Sequence, residues 1–413
     1  MYKAILVGAD QTNDGTIEYE MEELRNLAQA SDLEVLYTVT QAIARITPNL
    51  YIGSGKVDEI KTHVTQQGAE VVVFNNELSG SQLRNLEKAL DCRVIDRTLL
   101  ILDIFAKRAK TKEAMLQVEI AQLDYLLPRL VGMRDSLNRQ QGGIGSRGPG
   151  EKKLELDRRR IVRERARLEQ ELKEVVKQRQ IQRRTRQRSE IRNIAIVGYT
   201  NAGKSTLLNA LVDATSQPEH KKVFVKDMLF ATLETATRHI VLDNNKEFLV
   251  TDTVGFVSNL PHKLVEAFQS TLEEITEADL ILHVVDASNP FYETQIDVTN
   301  ETLADIGVHD IPTVYLYNKI DLLDHPIHPL HFPHLTLSIH NNEAIPQILE
   351  TIENKLFHDY ETVKLLIPFD QGDLVSYLNE NNHILSQEYS NDGTIVELEL
   401  SPLQKRRYAA YLM

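Results

Sequence analysis

Eight consecutive residues, Gly198-Tyr199-Thr200-Asn201-Ala202-Gly203-Lys204-Ser205, have the types and spacing to hold a chain of phosphates. The pattern is G-x-x-x-x-G-K-S. Its glycines let the backbone curl until successive N–H groups face one anion, and a helix starting at its end adds the positive pole of its dipole. Lys204 would reach the outer phosphates and the Ser205 hydroxyl would ligate Mg²⁺. Residues 194–197 are a short apolar run of strand type, and 206–211 open a helix. That strand–loop–helix context argues against the plain alternative, a glycine-containing turn before an ordinary helix.

Two further motifs follow in order. Residues 248–251 read as a strand running into Asp252-Thr253-Val254-Gly255, a D-x-x-G. Asp252 would hold Mg²⁺ through water, and the Gly255 N–H would sense the third phosphate. Residues 313–317 read as a strand ending in Asn318-Lys319-Ile320-Asp321, an N-K-x-D. The Asp321 carboxylate would accept from guanine N1–H and N2–H₂, which adenine lacks, and a site built on such bonds discriminates by ~10⁴–10⁵. Each motif alone is weak, but the three in this order specify GTP and GDP over ATP. Between the first two motifs, Phe230-Ala231-Thr232-Leu233-Glu234 should carry a switch hydroxyl to the metal. Thr232 is the choice, with Thr235 and Thr237 as competitors. After Asp321, Ser338-Ile339-His340 would pack on the base, with His340 incidental. Catalysis would rest on Lys204, Thr232, Gly255 and Asn201, and the metal on Ser205, Thr232 and, through water, Asp252. A water-orienting glutamine often follows D-x-x-G. Here Phe256 follows, so intrinsic hydrolysis should be slow and stimulated by a partner.

These loops need a scaffold. The chain has 413 residues, room for two to four domains, and its 42% hydrophobic content is ample for packed cores. Its single cysteine, Cys92, rules out an internal disulfide framework and suits a reducing cytoplasm, and it reads as a small buried residue. No apolar stretch approaches a membrane span. The fold class expected is α/β and multidomain. Residues 1–110 alternate strands (4–7, 34–39, 70–74, 93–95) with helices (21–30, 56–66, 81–90), which implies a small domain with a parallel sheet. Residues 111–190 should form a helical hairpin and 192–357 a P-loop domain, a mostly parallel sheet with helices on both faces. Residues 362–413 should form a small α+β domain, with a hairpin turn at 391–393. Gly53-Ser54-Gly55-Lys56 tempts a second phosphate loop, but Leu50 stands where its first glycine belongs. A loop capping a helix from near Val57 is favoured.

Net charge is −14, yet residues 129–192 hold 20 Lys+Arg against 9 Asp+Glu. A basic segment in an acidic chain points to a polyanionic partner. Leu116, Ile120, Leu123, Leu127 and Leu130 repeat at 4-3-4-3 spacing, a coiled-coil seam for a helix over 112–130. A second helix over about 151–188 offers Leu154, Ile161, Leu168, Leu172 and Val175, and the two read as an antiparallel hairpin. Arg158, Arg159, Arg160, Arg163, Arg165 and Arg167 crowd the second helix. A solvated face is the bland reading, but the lopsided sign favours nucleic acid. Between the helices, 142–150 holds five glycines, Arg147 and Pro149. A glycine-rich tip on a basic arm suits a crevice in folded RNA, bound by shape and phosphate contact, and so with salt-sensitive affinity.

The chain resembles the HflX family of translation-factor-related GTPases over essentially its whole length. Four stretches carry the likeness: 97–106 leading into 116–123; Gly142-Gly143-Ile144-Gly145-Ser146-Arg147-Gly148-Pro149-Gly150-Glu151 with Leu154-Glu155; 198–205 with 230–234; and 252–255 with Phe256. Lys152 departs from the threonine usual in the family and leaves the tip contacts open. The resemblance implies a factor bound to rRNA of the large ribosomal subunit through the Gly142 to Gly150 tip, in agreement with the reading of the arginine-rich helix, and a monomer is expected. It also implies splitting or rescue of stalled ribosomes under stress. In related GTPases an asparagine at the place of Asn201 helps hold K⁺; simple loop-shaping is the alternative. A cytoplasmic location is expected, compatible with peripheral membrane association. Two other functions stay open: a nucleotide-switched RNA-binding module with incidental hydrolysis, and ATP-driven RNA remodelling by the N-terminal domain.

Overall fold

The computed structural model describes residues 1–11, 15–131, 149–187, 191–215, 236–258, 275–341 and 343–413. The chain forms two compact units.

The first unit begins with strands β1 (Tyr2–Asp10), β2 (Leu33–Ala42), β3 (Val71–Phe74) and β4 (Arg93–Asp96), with helices α1 (Ile17–Ala30), α2 (Ser54–Gln67) and α3 (Gly80–Leu90) between them. The sheet order is β2-β1-β3-β4, parallel throughout. Parallel strands are buried on both faces and read as continuous apolar runs; Val71 to Phe74 is such a run, all four residues buried. Local signals set the helix ends. Ser79 and Gln82 form a reciprocal capping box ahead of α3. Gly53 precedes α2 with extended backbone, and Lys56 pairs with Glu59 one turn on. Gly53 therefore caps α2, as the favoured reading had it, but Ser54-Gly55-Lys56 form the helix's first turn where a loop was expected.

Helix α4 (Arg97–Arg108) was not foreseen. Leu100, Ile101, Leu102, Ile104 and Phe105 are buried, and the outer face falls at Leu99, Asp103, Ala106 and Lys107; two of those four are apolar, which masks the helical period in the sequence. Asp96 caps it through the Leu99 N–H. Next come the paired helices α5 (Lys112–Val131) and α6 (Pro149–Gln187). Leu116, Ile120 and Leu168 form the buried centre of their seam, with Leu123, Leu172 and Val175 beside it. Each fully buried leucine contributes roughly 1.5–3 kcal/mol. Lys112 pairs with Glu171 at 2.7 Å and Arg165 with Asp124 at 2.5 Å, so the helices run antiparallel. The glycine-rich tip lies outside the described residues except for its last two positions, which open α6.

The root of this arm is tied down by one buried carboxylate. Asp96, with no exposed surface, accepts from Leu78 N (3.1 Å), Leu99 N (3.0 Å), Tyr125 Oη (2.9 Å) and Arg129 (3.0 Å). The Arg129 guanidinium also lies 3.4 Å above the Tyr125 ring centre. Burial, then the Asp96 charge, pushes the Tyr125 hydroxyl pKa up, so it stays a donor. Gly80 leaves room for this close approach; a Cβ there would lie 2.7 Å from the Arg129 Cα.

The second unit holds β5 (Arg192–Val197), α7 (Lys204–Ala214), β6 (Ala236–Val241), β7 (Glu247–Asp252), β8 (Leu280–Asp286), α8 (Tyr292–Asp305), β9 (Thr313–Asn318), β10 (His334–Thr336) and α9 (Ala344–Leu356). Its six-stranded sheet has the order β10-β9-β8-β5-β7-β6, parallel except for the β6–β7 pair. Ile194, Ile196, Leu207, Val250, Leu282, Leu316 and Ile348 are among the residues of its core. The same unit carries β11 (Glu361–Ile367), α10 (Gly372–Asn381), β12 (Ile384–Tyr389), β13 (Thr394–Leu400) and α11 (Pro402–Arg407). These strands form an antiparallel sheet of order β11-β13-β12. Gly393, at φ 158°, makes the β12–β13 turn against the Ile367 carbonyl. No helix among the described residues is long and apolar enough to cross a membrane.

Candidate nucleotide site

The site gathers where β5, β7, β8 and β9 end. Gly198 leaves β5 at φ 140°, and a Cβ on it would sit 2.1 Å from the Val284 carbonyl oxygen of β8. Gly203 stands at φ 106° just before α7, where a Cβ would meet the Asn318 amide at 2.5 Å. Asn201 takes φ 62°, the left-handed region that asparagine tolerates better than most residues. Glycine is thus required at both ends of the loop by close approach as well as by φ.

Lys204 is the first residue of α7 and is buried. Its ammonium donates to the carbonyls of Gly198 (3.0 Å) and Tyr199 (2.6 Å). Burial pushes its pKa down to about 8, and the charge of Asp252 works against that fall. Ser205 Oγ donates to Asp252 Oδ2 at 2.6 Å, so a hydroxyl and a carboxylate stand side by side. Both are hard oxygen donors of the kind Mg²⁺ takes, and the pair fits such an ion. Thr200 Oγ1 is buried with no hydrogen-bond partner, a polar atom beside the loop that a ligand could satisfy. Thr253 Oγ1 donates to the Ile196 carbonyl at 2.7 Å, tying the D-x-x-G stretch to β5.

The N-K-x-D stretch does more than sequence reasoning assigned to it. Asn318 Nδ2 donates to the Ala202 carbonyl (2.9 Å), and its Oδ1 accepts from the Ile339 N–H (3.0 Å). One side chain therefore binds the phosphate loop to the 338–340 loop. Lys319, at φ 65°, reaches Asp286 Oδ2 at 2.7 Å. Asp286 ends β8 and escaped the sequence reading, since no motif marks it. Asp321 lies in a short 3₁₀ turn, Ile320–Leu322. A hydrogen bond from Ser338 is the main cause holding its carboxyl below the usual range, keeping it ionised as an acceptor. Ser338 and Ile339 are buried and His340 is exposed, and the His340 charge also favours the ionised form of Asp321.

Thr237 lies on β6, where its hydroxyl meets Thr251 at 3.0 Å. Phe230, Ala231, Thr232, Leu233, Glu234 and Thr235 lie outside the described residues. Gly255 opens a stretch, 255–258, that packs with the first unit. Phe256 is buried there, as is Val257. Ser258 donates from Oγ to Glu23 (2.9 Å), and its carbonyl accepts from Arg97 (2.8 Å). Glu23 and Arg97 are themselves a buried ion pair.

Three family profiles match the chain: GTP-binding GTPase N-terminal over residues 18–106, GTP-binding GTPase Middle Region over 108–186, and 50S ribosome-binding GTPase over 193–319. The GTPase HflX of Caldanaerobacter subterraneus subsp. tengcongensis is 44% identical over 412 residues, covering 100% of this chain and 94% of the relative. That of Lacrimispora saccharolytica is 41% identical, covering 95% and 92%. That of Escherichia coli (strain K12) is 39% identical, covering 95% and 92%. Identity at this level from end to end fixes the kinship that the loop geometry suggests: the chain belongs to the HflX family of GTPases.

Proposed function

We propose that the chain is a Mg²⁺-dependent GTPase that binds the large ribosomal subunit and splits or rescues stalled ribosomes. Its own loops supply the nucleotide chemistry. Lys204 and the loop N–H groups neutralise phosphate charge; Asp321 selects guanine; Ser205, and Asp252 through water, would hold Mg²⁺, which supplies further charge neutralisation when bound. Thr232 would join that set. Asn201 would help hold K⁺ near the phosphates, a cation where other GTPases use an arginine, and with Phe256 in place of a glutamine the ribosome would stimulate hydrolysis.

The observation that carries the RNA-binding half is the arm. Arg159, Arg165 and Arg167 are engaged by acidic neighbours, whereas Arg158, Arg160 and Arg163 are exposed and make no ion pair among the described residues. Three exposed guanidinium groups outside any ion pair among the described residues, within two turns, suit the phosphates of rRNA. With the 142–150 tip, they would seat the arm on the large subunit. The chain would act as a monomer in the cytoplasm.

Light scattering of intact ribosomes mixed with the purified chain tests this. Scattering should fall with GTP and not with GDP. A full-rate fall with Lys204→Ala would instead favour an RNA-binding module whose hydrolysis is incidental.

A further inference from the structure

The β6–β7 hairpin runs from the nucleotide site to the C-terminal strands, inside the second unit. Paired residues from Ala236–Asp252 to Val241–Glu247 hold its two strands in one register over about 17 Å. Both segments that would sense the third phosphate join it at the same end. Asp252 closes β7 and begins the D-x-x-G, and Ala236 begins β6 directly after the 230–235 stretch that holds Thr232. Because β6 is an edge strand among the described residues, only the β5–β7 ladder ties the hairpin into the sheet.

The far end is fastened to other elements. Lys246 Nζ, in a residue only 9% exposed, meets Glu353 of α9 and Glu399 of β13, each at 2.9 Å. Asn244 Nδ2 donates to Glu353 at 2.6 Å, and Asn245 Nδ2 donates to the Asn382 carbonyl at 3.3 Å. Glu399 also meets His383 Nδ1 at 3.3 Å, which carries the contact to the start of β12. Three consecutive turn residues thus grip α9 and the C-terminal sheet. A charged grip specifies register: a slip of two residues, about 7 Å, would take the ammonium away from two half-buried carboxylates.

Resting on the GTPase reading of the site, we propose that this latch couples the bound nucleotide to the C-terminal sheet. GTP draws Thr232 and Gly255 onto its third phosphate, which steadies one end of the hairpin, and the latched turn steadies the C-terminal strands at the other. Amide hydrogen exchange of the full chain, read by mass spectrometry in GDP and in a non-hydrolysable GTP analogue, tests it. Residues 384–400 should exchange at least about fivefold more slowly with the analogue than with GDP. Protection of 198–205 by either nucleotide, relative to the nucleotide-free chain, reports binding. Lys246→Met should keep that protection and show equal exchange at 384–400 in both nucleotides. Asn245→Gly suits the φ of 60° at that position and removes one hydrogen bond without touching a charge, so it should narrow the difference. With 198–205 protected, three results would each overturn the coupling: equal exchange at 384–400 in the wild type, faster exchange with the analogue, or a difference that survives in full in either variant. No protection of 198–205 by either nucleotide would overturn the GTPase reading, and the coupling with it.

Discussion

The depressed pKa of Lys204 makes nucleotide affinity depend on pH in a definite direction. A phosphate beside the ammonium favours its charged form, so binding must raise the pKa from its value of about 8 in the free chain. Below pH 8 the lysine is protonated with or without nucleotide, and affinity should be flat. Above it, binding has to take up a proton, and affinity should fall by up to about tenfold per pH unit. At pH 9 roughly a tenth of the free chain holds the charged lysine, so the dissociation constant for GTP should be about tenfold weaker than at pH 7. The assay is fluorescence titration with a labelled GTP analogue between pH 7 and 9, on the wild type and on Lys204→Met. The variant binds more weakly throughout but lacks the titrating ammonium, so it reports any pH effect on the nucleotide itself. Identical slopes for the two proteins would refute the reasoning.

Other expectations follow from the same geometry. Gly198→Ala forces a Cβ to 2.1 Å from the Val284 carbonyl oxygen at φ 140°, so calorimetric melting should show a loss of at least about 2 kcal/mol, together with lost GTP binding. Asp321→Ala removes the base acceptor, and competition titration should show GTP losing most of its advantage over ATP, which is ~10⁴ for a site of this type. Asp96→Ala leaves the Tyr125 hydroxyl and the Leu78 and Leu99 N–H groups without their acceptor and Arg129 without its buried carboxylate, and urea unfolding should record a loss of about 3–5 kcal/mol. If Asn201 helps hold K⁺, hydrolysis on large subunits should be faster in K⁺ than in Na⁺ buffer, and Asn201→Ala should erase the difference; equal rates in the wild type would remove K⁺ from the account.

The sequence made the phosphate loop legible because its chemistry is local: Gly198, Gly203, Lys204 and Ser205 are set by spacing alone. The N-terminal β/α alternation and the Leu116, Ile120 and Leu168 seam were equally readable, since periodicity encodes which face is buried. Helix α4 was not, because its outer face at Leu99, Asp103, Ala106 and Lys107 is half apolar and so masks the period. The Asn318 bridge between the Ala202 carbonyl and Ile339 depends on three loops meeting in space, as does the Lys319–Asp286 contact. The Lys246 latch joins residues more than 100 positions apart in the chain, and no motif announces it.

The central claim is that guanine nucleotide in one pocket governs how the basic arm engages ribosomal RNA. Pelleting the chain with isolated large subunits tests it most directly, in GDP or a non-hydrolysable GTP analogue, with and without residues 142–150. The account predicts strong, salt-sensitive pelleting of the intact chain with the GTP analogue, weaker pelleting with GDP, and loss of the difference when the tip is deleted. Equal pelleting in both nucleotides, or undiminished pelleting without the tip, would contradict it.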